Sequence, residues 1–131
     1  MSEEYFDIIS EKQEYYTSIL YQKAFKFSVR ITKFYKYILK NDHTFIPLYK
    51  QLLRSGTSIG ANVSEAQSAS SKSDFANKLS IALKECRESE YWLKLLFETE
   101  LINKNEFESL IKDCDELERI LTSSIKTTKG L

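Results

Sequence analysis

The sequence is poor in glycine and proline. Three glycines (Gly56, Gly60 and Gly130) and one proline (Pro47) occur in 131 residues, whereas these two residue types together make up about 12% of an average protein. Turns between β-strands consume glycine and proline, so the scarcity argues against a β-rich fold. It also excludes glycine-rich phosphate loops, because neither GxGxxG nor GxxxxGK(S/T) occurs in the chain.

Cysteine and long apolar runs are also scarce. Cys86 and Cys114 lie in helical patterns without CxxC spacing, which indicates two buried thiols in a reducing compartment. No apolar stretch is as long as the roughly 20 residues of a membrane span, and the acidic N-terminal segment lacks the basic and apolar regions of a secretory signal. We therefore expect a cytoplasmic protein with no membrane partner.

The chain has a single histidine, His43. It lies in a predicted turn, so no Ser-His-Asp set can be assembled around it, and Cys86 has no histidine partner. No Glu-x-x-His pair is present, which excludes a di-iron site of the ferritin type. We expect no enzymatic activity, no catalytic residues, no metal, no cofactor and no small-molecule substrate.

Apolar residues recur at helical spacing along four segments. We predict helices over residues 18–40, 47–67, 73–99 and 103–125. Pro47 suits the first turn of the second helix, Ser73 followed by Asp74 is the predicted N-cap of the third, and Asn103 and Glu106 have the spacing of a capping box. Short connections between such helices predict an all-α, antiparallel up-down-up-down four-helix bundle.

The predicted bundle spans residues 18–126, with residues 127–131 as a C-terminal tail. Residues 1–17 form an N-terminal arm, either frayed or a helical extension. The apolar half of the first helix comprises Ala24, Phe25, Phe27, Ile31, Phe34, Tyr35, Ile38 and Leu39. On the second helix Gly56 and Gly60 lie one turn apart, and each costs about 1 kcal/mol in helix propensity relative to alanine. This cost indicates either close packing of a neighbouring helix or a local distortion.

The second helix also carries a polar row. Arg54, Ser58, Asn62 and Glu65 are spaced four, four and three apart, which places them on one face of the helix. We interpret the row as a polar seam that fixes helix register or an oligomer contact. In that interpretation Asn62 and Glu65 hydrogen-bond to the third helix or to a neighbouring chain, and a ligand or RNA contact is the alternative.

These residues are part of a longer motif, which reads QLLRSGTSIGANVSE over residues 51–65, SDF over 73–75 and LSIAL over 79–83. The motif resembles the central signature of the 23S rRNA-intervening-sequence proteins, also called the four-helix bundle protein family. The matching residues are Arg54, Ser58, Ile59, Asn62, Glu65, Phe75, Ile81, Ala82 and Leu83, continued by Glu85, Glu88 and Tyr91-Trp92-Leu93. Gly60 stands where many members have proline, and Ala66 stands where many have glycine.

The resemblance covers about residues 24–125 and implies a homopentameric ring without an established enzymatic activity. Some members are encoded inside insertions in bacterial 23S rRNA genes, which implies RNA, including ribosome-associated RNA, as a partner. A related, more basic branch serves as accessory proteins in the nucleoprotein assemblies of retroelements. The present chain differs from that branch in its net charge of zero.

The zero net charge conceals an uneven distribution. Residues 22–54 carry eight cationic side chains and only Asp42 as an acid, so this segment is +7 and the remainder is −7. The cations of the first helix are Lys23, Lys26, Arg30, Lys33, Lys36 and Lys40, with Tyr37 among them. A row of cations can neutralise RNA phosphates, and Tyr37 can stack on an unpaired base.

Two alternatives for the cationic row remain open. It can be an ordinary solvated helix face, or it can pair with the acids of the fourth helix, Asp113, Asp115, Glu116 and Glu118, in another protomer. The sequence therefore predicts a non-enzymatic homo-oligomer that binds RNA through the first helix. The alternative is a protein-interaction scaffold or accessory factor of a larger nucleoprotein assembly, with the basic face used in subunit pairing.

Overall fold

Four helices make up most of the chain in the computed structural model, which describes residues 3–41 and 43–130, with side chains from residue 19 onward. The helices are α1 (Glu3–Asn41), α2 (Ile46–Ala66), α3 (Lys72–Glu98) and α4 (Lys104–Lys129). Within the described ranges there is no β-strand. The predicted all-α four-helix fold is confirmed.

The first and last helices of the chain are longer than their apolar patterns indicate. Helix α1 begins at Glu3, so residues 3–17 of the N-terminal arm belong to it. Helix α4 continues to Lys129 and is capped by Gly130, whose φ of 74° is the left-handed conformation of a helix C-cap. Residues 127–129 of the expected tail are therefore helical. Residues 1, 2 and 131 lie outside the described residues.

The N-terminus of α4 has the predicted capping box. The Asn103 side chain accepts a hydrogen bond from the Glu106 backbone N–H at 2.8 Å, and the Glu106 carboxylate accepts one from the Asn103 N–H at 2.9 Å. The prediction for α3 is wrong by two residues, because Ser71 rather than Ser73 is the N-cap. Ser71 Oγ accepts from the Asp74 N–H at 3.0 Å.

The ion pairs between α2 and α3 show how these neighbouring helices are oriented. Between α2 and α3 they join Arg54 to Glu85 and Glu65 to Lys78, so residue numbers fall along α3 as they rise along α2. Antiparallel neighbours in a helix bundle show this order. Helix α1 packs against α2 and α4, and α3 packs against α2 and α4. In the described part of the chain, α1 and α3 therefore occupy opposite corners of the bundle.

The core is an apolar cluster to which all four helices contribute. Its largest fully buried side chains are Phe27, Leu20, Ile31, Leu52, Ile59, Leu79, Leu93, Leu96, Leu117 and Leu121. Phe25 and Leu39 belong to the apolar half of α1 but are 56% and 38% exposed. Helices α2 and α4 cover a stripe of α1 that is narrower than its apolar half.

The two glycines of α2 lie where α1 packs tightly against it. A Cβ at position 60 would lie 2.9 Å from Ser28 Oγ and 3.4 Å from the Ala24 carbonyl oxygen. A Cβ at position 56 would lie 3.1 Å from Cγ1 of the buried Ile31. Close packing of a neighbouring helix, one of the two predicted reasons for these glycines, is thus present.

Candidate nucleic-acid interface

The cationic row lies on the side of α1 that faces solvent. Between Lys23 and Asn41 the chain contains no acidic residue, and the helix is continuous through this stretch. We define the lysine face as the five exposed side chains Lys26, Lys33, Lys36, Tyr37 and Lys40. The helical repeat of 3.6 residues brings them to one side, opposite to the buried Ile31 and its apolar neighbours.

Two other cations of the row are neutralised within the chain. Lys23 forms an ion pair with Glu116 of α4, and Arg30 forms one with Asp113. The Arg30 guanidinium also donates to Ser109 Oγ at 2.6 Å and to the Ser109 carbonyl at 3.4 Å. A hydrogen bond from the Lys23 ammonium lowers the pKa of the Glu116 carboxyl below its ordinary value. These contacts lie along the edge of α1 that packs against α4.

The four lysines of the lysine face have a different environment. All four side chains are exposed, and none forms an ion pair with a residue that the structure describes. The sequence offered pairing of the cationic row with α4 of another protomer as one alternative. Among the described residues of one chain, Lys23 and Arg30 of the row form such pairs with the acids of their own α4. Four positive charges and an exposed phenol remain together on one surface, which is the composition of a polyanion-binding site.

The polar seam of α2 lies on another side of the molecule, against α3. Arg54 pairs with Glu85 at 3.3 Å and with Glu88, and Glu65 pairs with Lys78 at 3.0 Å. The hydrogen bond that Lys78 donates to the Glu65 carboxylate raises the pKa of the Lys78 ammonium. These pairs at the two ends of the seam connect α2 to α3, as a contact that fixes helix register does.

The two middle residues of the seam bond to their own helix. Ser58 Oγ donates to the Arg54 carbonyl at 2.7 Å, and Asn62 Nδ2 donates to the Ser58 carbonyl at 2.8 Å. The expected bond of Asn62 to the third helix is therefore not formed by its amide N–H₂. A geometry of this kind arises because the carbonyl one turn earlier lies within reach of a short polar side chain.

A buried polar contact between α2 and α3 was missed by sequence reasoning. Ser55 and Ser89 are both fully buried, and Ser89 Oγ donates to Ser55 Oγ at 2.9 Å. The spacing in the sequence could have indicated this contact. Ser55 follows the buried Leu52 by three positions and precedes Ile59 by four, which places a hydroxyl on the apolar stripe. Buried hydroxyls require partners, so a polar residue on that stripe predicts a matching one on the neighbouring helix.

Three carboxylates meet between α3 and α4. Oxygen atoms of Glu90, Asp115 and Glu118 all lie within 4.8 Å of one another. Burial, together with the Glu118 carboxyl, raises the pKa of Glu90 to about 7, and the hydrogen bond with Glu90 lowers the pKa of Glu118. Glu90 therefore keeps its proton to a higher pH than Glu118 does. From the sequence, Asp115 and Glu118 were named only as acids that can pair with the cationic row of another protomer, and Glu90 was not named.

The two cysteines are free thiols in the core. Cys86 Sγ donates to the Cys114 carbonyl at 3.3 Å, and both side chains are fully buried. The neighbouring Cys86 thiol and burial raise the pKa of Cys114 above its ordinary value. Because the thiolate is the reactive species, Cys114 acts as a small core side chain. Its placement matches the structural role predicted from the sequence.

No helix in the described ranges is long and apolar enough to cross a membrane. The fold and the surface together describe one class of protein: a four-helix bundle whose first helix presents a lysine-rich face. A family model of the 23S rRNA-intervening sequence proteins matches residues 17–123, and the chain belongs to this family.

A solved structure gives the same assignment. The chain is similar to a crystal structure of a protein of unknown function from the S23 ribosomal protein family of Bacteroides thetaiotaomicron VPI-5482. The two are 47% identical with a TM-score of 0.81, over 85% of this chain and 98% of that one. No curated protein matches the chain.

Proposed function

We propose that the protein is a non-enzymatic RNA-binding protein, with the lysine face of α1 as its contact surface. One observation carries the proposal: the acids of α4 neutralise Lys23 and Arg30 but leave Lys26, Lys33, Lys36 and Lys40 exposed. Ammonium groups on such a surface can contact phosphates and release the counterions that RNA condenses. The name of the matching family refers to 23S rRNA, which makes ribosomal RNA the first ligand to test.

The salt dependence of binding tests this proposal. If all four lysines contact phosphates of an unpaired strand, the logarithm of the association constant should fall with the logarithm of salt concentration with a slope of about −3. The measurement is fluorescence anisotropy of labelled 23S rRNA fragments, titrated with the full-length protein at several salt concentrations.

A matched pair of double variants locates the site. We expect Lys33→Gln with Lys36→Gln to weaken binding and to reduce the salt slope by about 1.4, because each phosphate contact contributes about 0.7. Lys72→Gln with Lys84→Gln makes the same change in charge on α3, at exposed positions, and should leave binding unchanged. The proposal is wrong if no RNA is bound at low salt, or if both double variants weaken binding equally.

The proposal includes self-association, with five copies as the number that the family resemblance implies. Tyr91 on α3 is 58% exposed and contacts Trp92 edge-on, with ring centroids 4.9 Å apart. The Trp92 indole N–H is buried without an acceptor in the described part of the chain. An exposed aromatic ring beside a desolvated donor is typical of a protein interface. This surface lies on α3, so assembly through it leaves the lysine face of α1 available.

Light scattering tests the assembly. The expected mass is five times the 15.3 kDa of one chain. Tyr91→Ala should lower this mass, whereas Lys33→Gln with Lys36→Gln should not. A mass of one chain would contradict self-association.

The second candidate function is a protein-interaction scaffold or accessory factor whose basic face pairs subunits, favoured by the net charge of zero. It predicts the opposite result, in which the lysine double variant dissociates the assembly and RNA has no effect. Both candidates place the protein in the cytoplasm, where its two free thiols remain reduced.

A further inference from the structure

Two exposed aromatic rings lie on the side of α1 that faces solvent: Tyr37 belongs to the lysine face, and Phe25 borders it near the other end. Tyr37 and Phe25 are each 56% exposed, and their separation of twelve positions corresponds to about 18 Å along the helix axis. Tyr21 stacks on Phe25, with ring centroids 6.0 Å apart and planes inclined by 20°. The apolar pattern placed Phe25 on the other half of the helix, so its exposure adds a second ring to a surface on which Tyr37 was the only one expected.

The ammonium groups lie between and beside these rings. Lys26, Lys33 and Lys40 follow one another at intervals of seven residues, about 10 Å along the axis, and Lys36 lies beside them on the same exposed side. Lysine offers a flexible point charge rather than the rigid fork of arginine. Such a surface neutralises phosphates without reading a base sequence.

We propose that the lysine face, together with Phe25, selects unpaired RNA over duplex RNA. The inference rests on the proposed RNA-binding function and adds the class of RNA that is bound. A duplex keeps the faces of its bases stacked inside the helix and offers phosphates and sugars on the outside. An unpaired strand offers phosphates and free base faces together. Tyr37 and Phe25 stack on such bases, while the lysines neutralise the neighbouring phosphates.

The first test compares a short unstructured RNA with the same RNA annealed to its complement. The duplex has twice as many phosphates, so a purely electrostatic surface binds it at least as tightly as the single strand. We expect the full-length protein to bind the unpaired RNA more tightly, in fluorescence anisotropy at one fixed salt concentration.

The second test separates stacking from charge and from apolar contact. Tyr37→Leu keeps an apolar side chain but removes the ring, so it should weaken binding of the unpaired RNA about tenfold without changing the salt slope. Tyr37→Trp should retain the affinity. Val29→Ala removes an exposed apolar side chain from the same side of α1 and should have little effect. Far-UV circular dichroism and thermal unfolding check that each variant is folded.

The outcomes distinguish the two proposals. Equal affinity for both RNAs, with no effect of Tyr37→Leu, overturns the selection of unpaired RNA while the lysine double variant still supports RNA binding. Weakening by Val29→Ala as large as that by Tyr37→Leu points to apolar docking and also overturns it. No binding of either RNA at low salt overturns the proposed function and this inference together.

Discussion

At the scale of single residues, Glu90 links the stability of the fold to pH. Burial raises the pKa of its carboxyl from 4.5 to about 7, with a further contribution from Glu118. A proton is therefore held more tightly in the folded chain than in the unfolded one. The stabilisation is complete below pH 4.5 and is lost as the pH rises through 7. The lowered pKa of Glu118 has the opposite effect on stability. Its contribution is present above pH 4.5 and is lost as the pH falls below that value.

We predict that Glu90→Gln flattens this dependence. The amide cannot ionise, so the variant should be more stable than the parent at pH 8 by about 1 kcal/mol, a value reduced for the partial exposure of the carboxyl. At pH 5 the two should have similar stability. Urea denaturation between pH 5 and pH 8 measures this difference, with Glu98→Gln, at an exposed position of α3, as the control. If the free energy of unfolding changes with pH in the same way in Glu90→Gln and in the parent, Glu90 is not the source of the pH dependence.

At the scale of the helices, local chemistry could be predicted from the sequence and contacts between helices could not. Asn103 and Glu106 are three residues apart, so their capping box can be recognised without knowing what surrounds it. The pairing of Arg30 with Asp113 joins residues 83 positions apart and depends on which helix lies beside α1. The exposure of Phe25 has the same origin, since the apolar pattern does not show how wide a stripe the neighbouring helices cover.

The N-cap of α3 shows that local reasoning can also choose wrongly between neighbours. Ser71 and Ser73 both precede the apolar pattern, but only Ser71 stands three residues before Asp74. The Asp74 carboxylate accepts a hydrogen bond from the Ser70 N–H at 3.2 Å, while its own N–H donates to Ser71 Oγ. The carboxylate thus bonds to the residue before the N-cap, not to the N-cap N–H as in a capping box. The spacing of three from Ser71 to Asp74 would nevertheless have identified the N-cap.

We therefore predict unequal effects of two serine substitutions. Ser71→Ala should lower the free energy of unfolding by about 1 kcal/mol, the usual cost of removing an N-cap side chain. Ser73→Ala should change it by less than about 0.5 kcal/mol, as exposed substitutions away from such features do. Chemical denaturation of the two variants under identical conditions provides the measurement. A larger loss of stability for Ser73→Ala than for Ser71→Ala would indicate that Ser73 is the N-cap, as the sequence analysis predicted.

At the scale of the whole molecule, the charges are partitioned rather than absent. Equal numbers of acidic and basic side chains, 19 of each, produce no net charge, so long-range attraction of RNA is weak. The bundle places α4 beside α1, and this contact removes Lys23 and Arg30 from the cationic row while the lysine face stays exposed. Among the described residues, the acids of α4 therefore pair with two of the six cations of the row.

Removing those acids should enlarge the surface. Glu116→Gln frees Lys23, and Asp113→Asn frees Arg30, so each variant should bind unpaired RNA more tightly at low salt and steepen the salt slope by about 0.7. The loss of one partly exposed ion pair costs at most about 1 kcal/mol of stability, and Arg30 keeps its bonds to Ser109. The measurement is the same anisotropy titration that tests the lysine face.

Glu98→Gln is the matched control, because it makes the same change in net charge on α3, which does not pack against α1 in the described residues. An increase in affinity for Glu116→Gln and Asp113→Asn but not for Glu98→Gln would show that α4 limits the RNA surface by pairing with its edge. An equal increase in all three variants would mean that only net charge matters. A change in assembly mass without a change in RNA affinity would favour subunit pairing as the use of these charges.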